Sequence, residues 1–274
     1  MVKRICFILL ALGLGMSVCG SSHAVVIEDT LMVTDVTPVQ FCVVWATSEP
    51  AFGWLNVFLD PEATTPYTEA VVISQSAKHP PAEDIGVMKV KVVGLKPDTE
   101  YFFQTETIAK DHNAVYLSPL KRVRTEKASI IVRNDVLVHK VGIGENRPAL
   151  GTLVIASADK ASHPVSGWVG DGVPDRWAAI DTNNFYDRET HVNLELEGGE
   201  VINLMLFGGS LGSVETQYTV PEEKGGMQPL EGAANLPDSG SGPALSAPQD
   251  SAHEGGAEGG GASCFIATAA FSSP

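Results

Sequence analysis

The stretch "GLKPDTEYFF", residues 94–103, decides the fold of the first part of the chain. Its Gly, Pro and Asp residues predict a turn, in which Pro97 locks φ. The residues "EYFF" that follow predict the start of a strand. Leu95 and Tyr101 are the large side chains on either side of this turn.

Short apolar runs on both sides of this turn have the pattern of β-strands. In "GVMKVKVVGL", residues 86–95, one side of the strand is apolar and the opposite side carries the lysines. The predicted core face consists of Met88, Val90 and Val92. The run "VQFCVVWAT", residues 39–47, predicts another strand with Trp45 near its end. About seven such strands in residues 25–126 predict a sandwich of immunoglobulin size.

These residues resemble the fibronectin type III family, in which a corner between the two sheets follows the pattern Gly-Leu-x-Pro-x-Thr-x-Tyr. The resemblance implies that Leu95 fills the open end between the sheets. It also implies that Tyr101 buries its ring in the core while its hydroxyl bonds back to the backbone, an arrangement known as a tyrosine corner. Trp45 then resembles the tryptophan on the second strand of that family. The stretch "WATSEPAFGWLNV", residues 45–57, is also similar to the fibronectin-like domains that precede some secreted metallophosphatases. The resemblance covers residues 25–126 and implies a spacer or interaction module.

Residues 127–221 contain more short apolar runs broken by Gly, Pro, Asn and Asp, so we expect a second β-sandwich there. The clearest local pattern is "HVNLELEGGEVINLML", residues 191–206. Two alternating apolar runs flank its glycine pair and predict a tight hairpin. The predicted fold class is therefore all-β, with two β-sandwich domains in series, the first fibronectin type III- or immunoglobulin-like.

Residues 1–24 have the pattern of a cleaved export signal. Lys3 and Arg4 give a basic start, an apolar run follows, and Ser22 and Ala24 supply the small residues before a cleavage site. The apolar run is short for a transmembrane span, and an uncleaved anchor is the alternative interpretation. We expect an extracytoplasmic protein, secreted or on a bacterial cell surface, with no integral membrane span after signal removal.

The charge of the chain excludes several partners. The net charge is −15, and it becomes −17 after signal removal because Lys3 and Arg4 are the only charges of the signal. Such a chain is repelled by nucleic acid and by anionic membranes, so we expect neither as a partner. The cysteines predict no disulfide framework: Cys6 and Cys19 leave with the signal, and Cys42 lies in an apolar run typical of a core.

Residues 222–262 change in composition, with many Gly, Pro and Ser residues and no aromatic residue. Such a segment predicts a disordered linker. Residues 263–274 follow, and their "CFIATAAF" resembles the CFI-box type of C-terminal region found in exported bacterial proteins. The resemblance implies sorting, processing or attachment by envelope machinery. Cys264 is the candidate modification or attachment site, and an apolar end with no role is the alternative.

The stretch "WVGDGVPDRWAAIDTNNFYD", residues 168–187, concentrates oxygen donors of the type that calcium takes. The candidate metal ligands are Asp171, Asp175, Asp181, Asn183 and Asp187. Their spacing departs from that of calcium loops, which place donors at alternate positions. Because the same residue types build ordinary turns, connections between strands are the alternative.

The same stretch holds the aromatic residues Trp168, Trp177 and Tyr186, which are candidates for stacking on a sugar. The alternative is core packing, since large aromatic side chains are mostly buried. A glycan or a surface protein is the expected partner.

No G-x-S-x-G, H-E-x-x-H or paired C-x-x-C motif occurs in the sequence. We therefore predict an exported, non-enzymatic structural or binding protein with no required cofactor. Two alternatives stay open: a calcium- or glycan-binding adhesin, and an accessory component of a secreted hydrolase.

Overall fold

The protein is built of β-sheets, as the sequence predicts. Its computed structural model describes residues 26–27, 30–111, 114–129, 137–143, 147–148, 150–171, 177–220, 222, 228–229 and 234–236. Within these ranges the strands form four sheets, and short helical segments connect some of them.

The strands of the first sandwich are β1 (Met32–Thr34), β2 (Gln40–Ala46), β3 (Ala51–Phe58), β4 (Val71–Ser74), β5 (Val87–Val93), β6 (Glu100–Ala109), β7 (Val115–Leu117) and β8 (Lys121–Arg124). A 3₁₀ turn at Ser76–Lys78 and the short helix α1 (Pro80–Asp84) lie between β4 and β5. The later strands are β9 (Leu137–Ile143), β10 (Arg147–Pro148), β11 (Leu153–Ala158), β12 (Val165–Trp168), β13 (Trp177–Ile180), β14 (Val201–Phe207), β15 (Ser213–Thr219), β16 (Gln228–Pro229) and β17 (Ala234–Leu236). Two further 3₁₀ turns lie at Thr182–Asn184 and Gly209–Leu211.

Strands β1–β8 form two antiparallel sheets. Sheet A has the order β1-β2-β5-β4. In sheet B, β6 lies between β3 on one side and β7 and β8 on the other. With β7 and β8 counted as one interrupted strand, this is the strand order of the seven-stranded constant-type immunoglobulin sandwich.

The core of this first sandwich follows the predicted alternation. The inward side chains of β2 and β5 are fully buried: Phe41, Val43, Trp45, Met88, Val90 and Val92. The indole nitrogen of Trp45 donates a hydrogen bond to Thr107 Oγ1 at 2.9 Å. The polar atom of this buried ring is therefore satisfied, as stability requires.

The tyrosine corner is present. Tyr101 is fully buried, and its hydroxyl oxygen accepts a hydrogen bond from the backbone N–H of Lys96 at 2.9 Å. Leu95 is buried in the same core, whereas Pro97 lies exposed on the turn. Gly94 begins the turn with φ +83°, and a Cβ there would come within 2.9 Å of a backbone oxygen.

Strands β9–β17 form the second sandwich. Sheet C has the order β12-β11-β14-β15, and sheet D contains β10, β9 and β13, with β16 and β17 also paired to β9. The apolar core between them includes Val154, Val165, Ile180, Ile202, Leu204 and Leu206. Gly167 lets the two sheets approach closely, because a Cβ there would come within 2.1 Å of the carbonyl oxygen of Ala179.

The predicted hairpin at residues 191–206 is wrong in its first arm. Only the second arm is a strand, β14, and it pairs with β11 and β15. Leu194 of the first arm is buried in the second core, but its backbone is irregular. Asn193 holds this backbone, since its side-chain amide donates to the carbonyl oxygens of Asn183 and Phe185 at 2.7 and 3.2 Å. Such local side-chain bonds compete with strand pairing.

Two pieces of the predicted linker are strands. Strands β16 and β17 pair in parallel with β9, so five residues within 222–262 belong to sheet D. Most of the remaining predicted linker, the predicted signal at residues 1–24, and residues 263–274 with Cys264 lie outside the described residues. Within the described ranges, no helix has the length and apolar character needed to cross a bilayer.

Candidate functional site

The two sandwiches pack face to face through sheets A and C. Their outward faces bury a third apolar cluster, which includes Val44, Ala46, Val87, Leu153, Ile155 and Phe207. Strand β2 is therefore buried on both faces, and β5, β11 and β14 are buried on both faces only where they meet this layer. Burial of apolar surface is the main favourable term in association, so this layer joins the two sandwiches into one unit.

Two glycines let the backbones of the sandwiches meet. A Cβ at Gly151 would come within 2.5 Å of the backbone nitrogen of Ala82 in α1. One at Gly209 would come within 2.2 Å of the carbonyl oxygen of Ile85. The next residue, Ser210, donates its backbone N–H to that same oxygen at 2.7 Å. Larger residues at either glycine would push the sandwiches apart.

A buried ion pair lies within this interface. Nζ of Lys89 is 3.5 Å from Oδ2 of Asp35, and their side chains are 6% and 7% exposed. The same Nζ donates to the backbone carbonyl oxygen of Ser166, in the second sandwich, at 3.1 Å. The sequence pattern places Lys89 on the face of β5 away from the core, but the second sandwich covers that face.

Asp35 connects the two sandwiches by hydrogen bonds. Its carboxylate accepts from the backbone N–H of Ser166 at 3.0 Å, from the Ser166 hydroxyl, and from Thr34 Oγ1 at 2.8 Å. Its own N–H donates to the carbonyl oxygen of Pro164 at 2.9 Å. The φ of Asp35 is +54°, a region that costs energy for a residue with a Cβ. The bonds to the second sandwich hold it there.

Cys42 lies beside the ion pair, on the same face of β2 as Val44 and Ala46. Burial, and then the charge of Asp35, raise the pKa of its thiol to about 12. The thiolate is the reactive form of cysteine, so this side chain is inert at neutral pH. Its role is packing, as the apolar run predicts.

A second polar cluster forms where the first sandwich ends. Glu126 is 1% exposed, and its Oε1 accepts a hydrogen bond from the Ser162 hydroxyl. Nδ1 of His163 lies 3.3 Å from Oε1, and Nδ1 of His191 lies 2.9 Å from Oε2. Burial alone would raise the pKa of Glu126, but the hydrogen bonds from His163, Ser162 and His191 lower it. The carboxylate is therefore held ionised.

This cluster has the residue types of a catalytic triad in a different arrangement. In nucleophilic catalysis the hydroxyl donates its proton to a histidine that acts as base. Here the Ser162 hydroxyl donates to the buried Glu126 carboxylate, and His163 Nδ1 lies 3.2 Å from the serine oxygen beside the same carboxylate. The arrangement ties residues of the second sandwich to the end of the first.

The predicted stacking residues do not form a surface platform. Trp168 and Tyr186 are 4% and 3% exposed, and Trp177 is half-buried. The ring of Trp168 stacks on His79 with centroids 4.5 Å apart. Burial lowers the pKa of His79. Packing, rather than display to a ligand, occupies the faces of these buried rings.

Three of the predicted metal ligands, Asp181, Asn183 and Asp187, serve as turn residues. Asp181 Oδ1 accepts from the backbone N–H and the amide of Asn183 at 3.0 and 2.7 Å. Asp187 Oδ1 accepts from the backbone N–H and the hydroxyl of Thr190, both at 2.8 Å. The carboxylate of Asp171 lies 3.9 Å from the ring of His79. Asp175 lies outside the described residues.

Among the described side chains, no three from His, Cys, Asp and Glu come together in a group that could hold a metal ion.

Sequence reasoning missed the residues that join the sandwiches. They are Asp35, Lys89, Glu126, Gly151, Ser166 and Gly209. One signal was present in strand β2, where "FCVVWA" is apolar at every position instead of alternating. A continuous apolar run is typical of a strand covered on both faces.

Comparison with known proteins identifies no family. No protein-family model and no curated protein matches the chain. Among solved structures, the chain is similar to a purple acid phosphatase from yellow lupin (Lupinus luteus) seeds, at 13% identity and a TM-score of 0.27. The match covers 45% of this chain and 23% of that one. A likeness this weak supports no argument about fold or function.

Proposed function

We propose that the chain is an exported, non-enzymatic structural and binding protein of the bacterial envelope. Its two sandwiches act as one rigid unit. The observation that carries this proposal is the interface itself, with an apolar layer, glycine contacts between backbones and the buried Asp35–Lys89 pair. A flexible two-domain spacer does not require an extensive buried interface between its domains. A rigid unit that presents a binding surface in a fixed orientation requires one.

The fibronectin type III-like character of the first sandwich belongs to the same proposal. The corner bond from Lys96 to Tyr101 and the buried Trp45 support it, and the strand order of sheets A and B supports the broader immunoglobulin-like class. Domains with this architecture serve many unrelated functions, so the function rests on the surfaces of this chain and not on its fold.

The non-enzymatic part of the proposal is supported by the Glu126 cluster. Its serine donates to a carboxylate whose pKa is lowered, and a carboxylate of lowered pKa is a weak base for activating a hydroxyl. The cluster is tested with chromogenic esters, phosphates and glycosides. We expect no turnover above the solvent rate. Turnover that disappears in Ser162→Ala, while the variant stays folded, would contradict the proposal.

Export and attachment are tested by expressing the full chain in a bacterial host, fractionating the cells and measuring intact mass. We expect a mature chain that begins at Val25 and is found outside the cytoplasm. A cytoplasmic chain that retains residues 1–24 would overturn the export proposal. An adduct on Cys264, or cleavage beside it, supports an attachment role for the C-terminal segment, and an unmodified mass that extends to Pro274 contradicts that role.

A further inference from the structure

The outward face of sheet B carries large aromatic and aliphatic side chains among its polar ones, where a solvent-facing sheet is normally polar. Strand β3 turns Leu55 and Val57 into the core. The alternate positions, Phe52, Trp54 and Phe58, point outward. Trp54 is 44% exposed. Three large aromatic side chains therefore lie on one face of one strand.

Strand pairing extends this face over β6 and β7. Phe58 pairs with Phe102, and Trp54 pairs with Glu106, which in turn pairs with Leu117. Side chains directly opposite each other on neighbouring strands lie about 5 Å apart. The face is thus a continuous surface, which we call the aromatic strip.

Polar side chains interrupt the aromatic strip at its centre. Asn56 pairs with Gln104, between the rows that contain Trp54 and Phe58. The Asn56 amide reaches Glu106 Oε2 at 3.4 Å, a long contact, and Gln104 donates one of its two amide protons to the carbonyl oxygen of Ser118. Amide groups retain several donors and acceptors after one such bond. The strip therefore combines ring faces with hydrogen-bonding groups.

The position of the strip suits it for binding. Sheet A uses its outward face for the second sandwich, so the strip lies on the opposite side of the first sandwich. A ligand on sheet B leaves the domain interface undisturbed. The rigid docking of the two sandwiches also fixes the direction in which the strip faces.

The size of the strip argues against a second copy of the chain. Six residue steps along β3 span about 20 Å, and three strands span about 10 Å, which gives an area of about 200 Å². A stable protein–protein interface needs about 800 Å² on each partner. The strip is therefore suited to a narrow, elongated ligand.

The chemistry of the strip selects a neutral sugar chain among such ligands. Aromatic rings stack on the C–H faces of sugar rings, and amide and carboxylate groups bond to their hydroxyls. A polyanion is disfavoured by Glu106 and by the net charge of −15. The nearby Lys110 is already engaged, since its Nζ lies 2.6 Å from Asp84 Oδ1 and 5.5 Å from the ring centre of Phe52.

We infer that the aromatic strip binds a neutral oligosaccharide chain, with Trp54 as its main stacking residue. This inference rests on the proposed binding function and gives it a ligand class. It also moves the glycan site from the second sandwich, where the sequence pattern places it, to the first.

The test is affinity electrophoresis of the mature chain in gels that contain hydroxyethyl cellulose, galactomannan, laminarin or starch. We expect at least one polysaccharide to retard the native chain. Trp54→Ala should weaken that binding by about tenfold or more, because a stacking residue at the centre of a small site dominates its affinity. Gln104→Ala should weaken it by a smaller factor.

The matched control is Trp177→Ala, which removes a half-buried tryptophan that the sequence pattern proposes for stacking. Circular dichroism and thermal unfolding establish that each variant is folded. The inference is overturned if the folded native chain is retarded by none of the four polysaccharides, if Trp54→Ala binds normally, or if Trp177→Ala loses binding equally.

A self-association that Trp54→Ala abolishes in sedimentation experiments would also overturn the inference, in favour of a second copy. None of these outcomes alters the export and mass measurements, so failure of the sugar site is distinguishable from failure of the proposed function.

Discussion

The contact between the two sandwiches is tested most sharply by one pair of glycine-to-alanine substitutions. Gly151 has φ +83°, and Gly199 has φ +86°. Alanine in this left-handed region costs about 1–2 kcal/mol at either position. Their surroundings differ, because a Cβ at Gly151 would meet the backbone of Ala82 at 2.5 Å, whereas one at Gly199 meets nothing within 4 Å.

Overpacking of a close contact adds about 1–3 kcal/mol. We therefore expect Gly199→Ala to lower the free energy of unfolding by about 1–2 kcal/mol and Gly151→Ala by about 2–5 kcal/mol. The assay is urea unfolding of the mature chain, followed by tryptophan fluorescence and by circular dichroism. In Gly151→Ala the two probes should also separate, because Trp168 lies in the interface and reports its opening first.

Equal losses in the two variants, with coincident transitions in both, would refute this reasoning. That result would mean that α1 and Gly151 do not touch in solution. Gly199→Ala is the internal control, because it has the same cost of placing alanine at positive φ. It also changes the unfolded chain in the same way as Gly151→Ala.

Three further predictions concern single side chains. Lys89→Met leaves Asp35 buried without its partner and should lower the free energy of urea unfolding by about 3–5 kcal/mol. The control Lys91→Met, on the same strand but partly exposed, should lower it by less than about 1 kcal/mol. Similar losses in the two variants would contradict the buried pair. Tyr101→Phe removes the acceptor of the corner bond and should cost about 1 kcal/mol by the same assay, and an unchanged stability would show that the bond contributes nothing. Burial lowers the pKa of His139 from 6.5 to about 4, so the unfolded chain binds more protons and stability falls as the pH is lowered through this window. The loss between pH 8 and pH 5 should be about 2 kcal/mol larger in the native chain than in His139→Leu, and equal slopes in unfolding experiments at several pH values would exclude this cause.

Local patterns predict the first sandwich well. The corner needs residues of fixed type at fixed spacing, so Leu95 and Tyr101 could be placed from the sequence alone. The inward positions of β5 follow from alternation with period two. The all-β class of the second sandwich was predicted, but the hairpin predicted at residues 191–206 is wrong in its first arm. The Asn193 side chain hydrogen-bonds to nearby backbone carbonyls, and the alternation of apolar residues carries no information about such bonds.

The interface could not be predicted because its parts are distant in sequence. Asp35 and Ser166 are 131 residues apart, and neither belongs to a motif. Lys89 in an alternating strand is normally a solvent-facing residue, since charged side chains are rarely buried without a partner. The burial of Lys89 beside Asp35 depends on the packing of sheet C against sheet A, which the sequence of β5 alone does not predict. The same is true of the aromatic strip, whose rows join three strands.

If the chain is exported, as we propose, the burial of Cys42 gives the docking of the sandwiches a further consequence. In an oxidising compartment, accessible thiols are converted to disulfides. Cys42 belongs to the face of sheet A that the second sandwich covers, so a chain whose sandwiches have not docked exposes this thiol during maturation. Docking of the two sandwiches therefore keeps Cys42 reduced. In a chain that fails to dock, the exposed thiol forms a crosslink or another covalent adduct. The redox state of one cysteine thus distinguishes docked molecules from undocked ones after export.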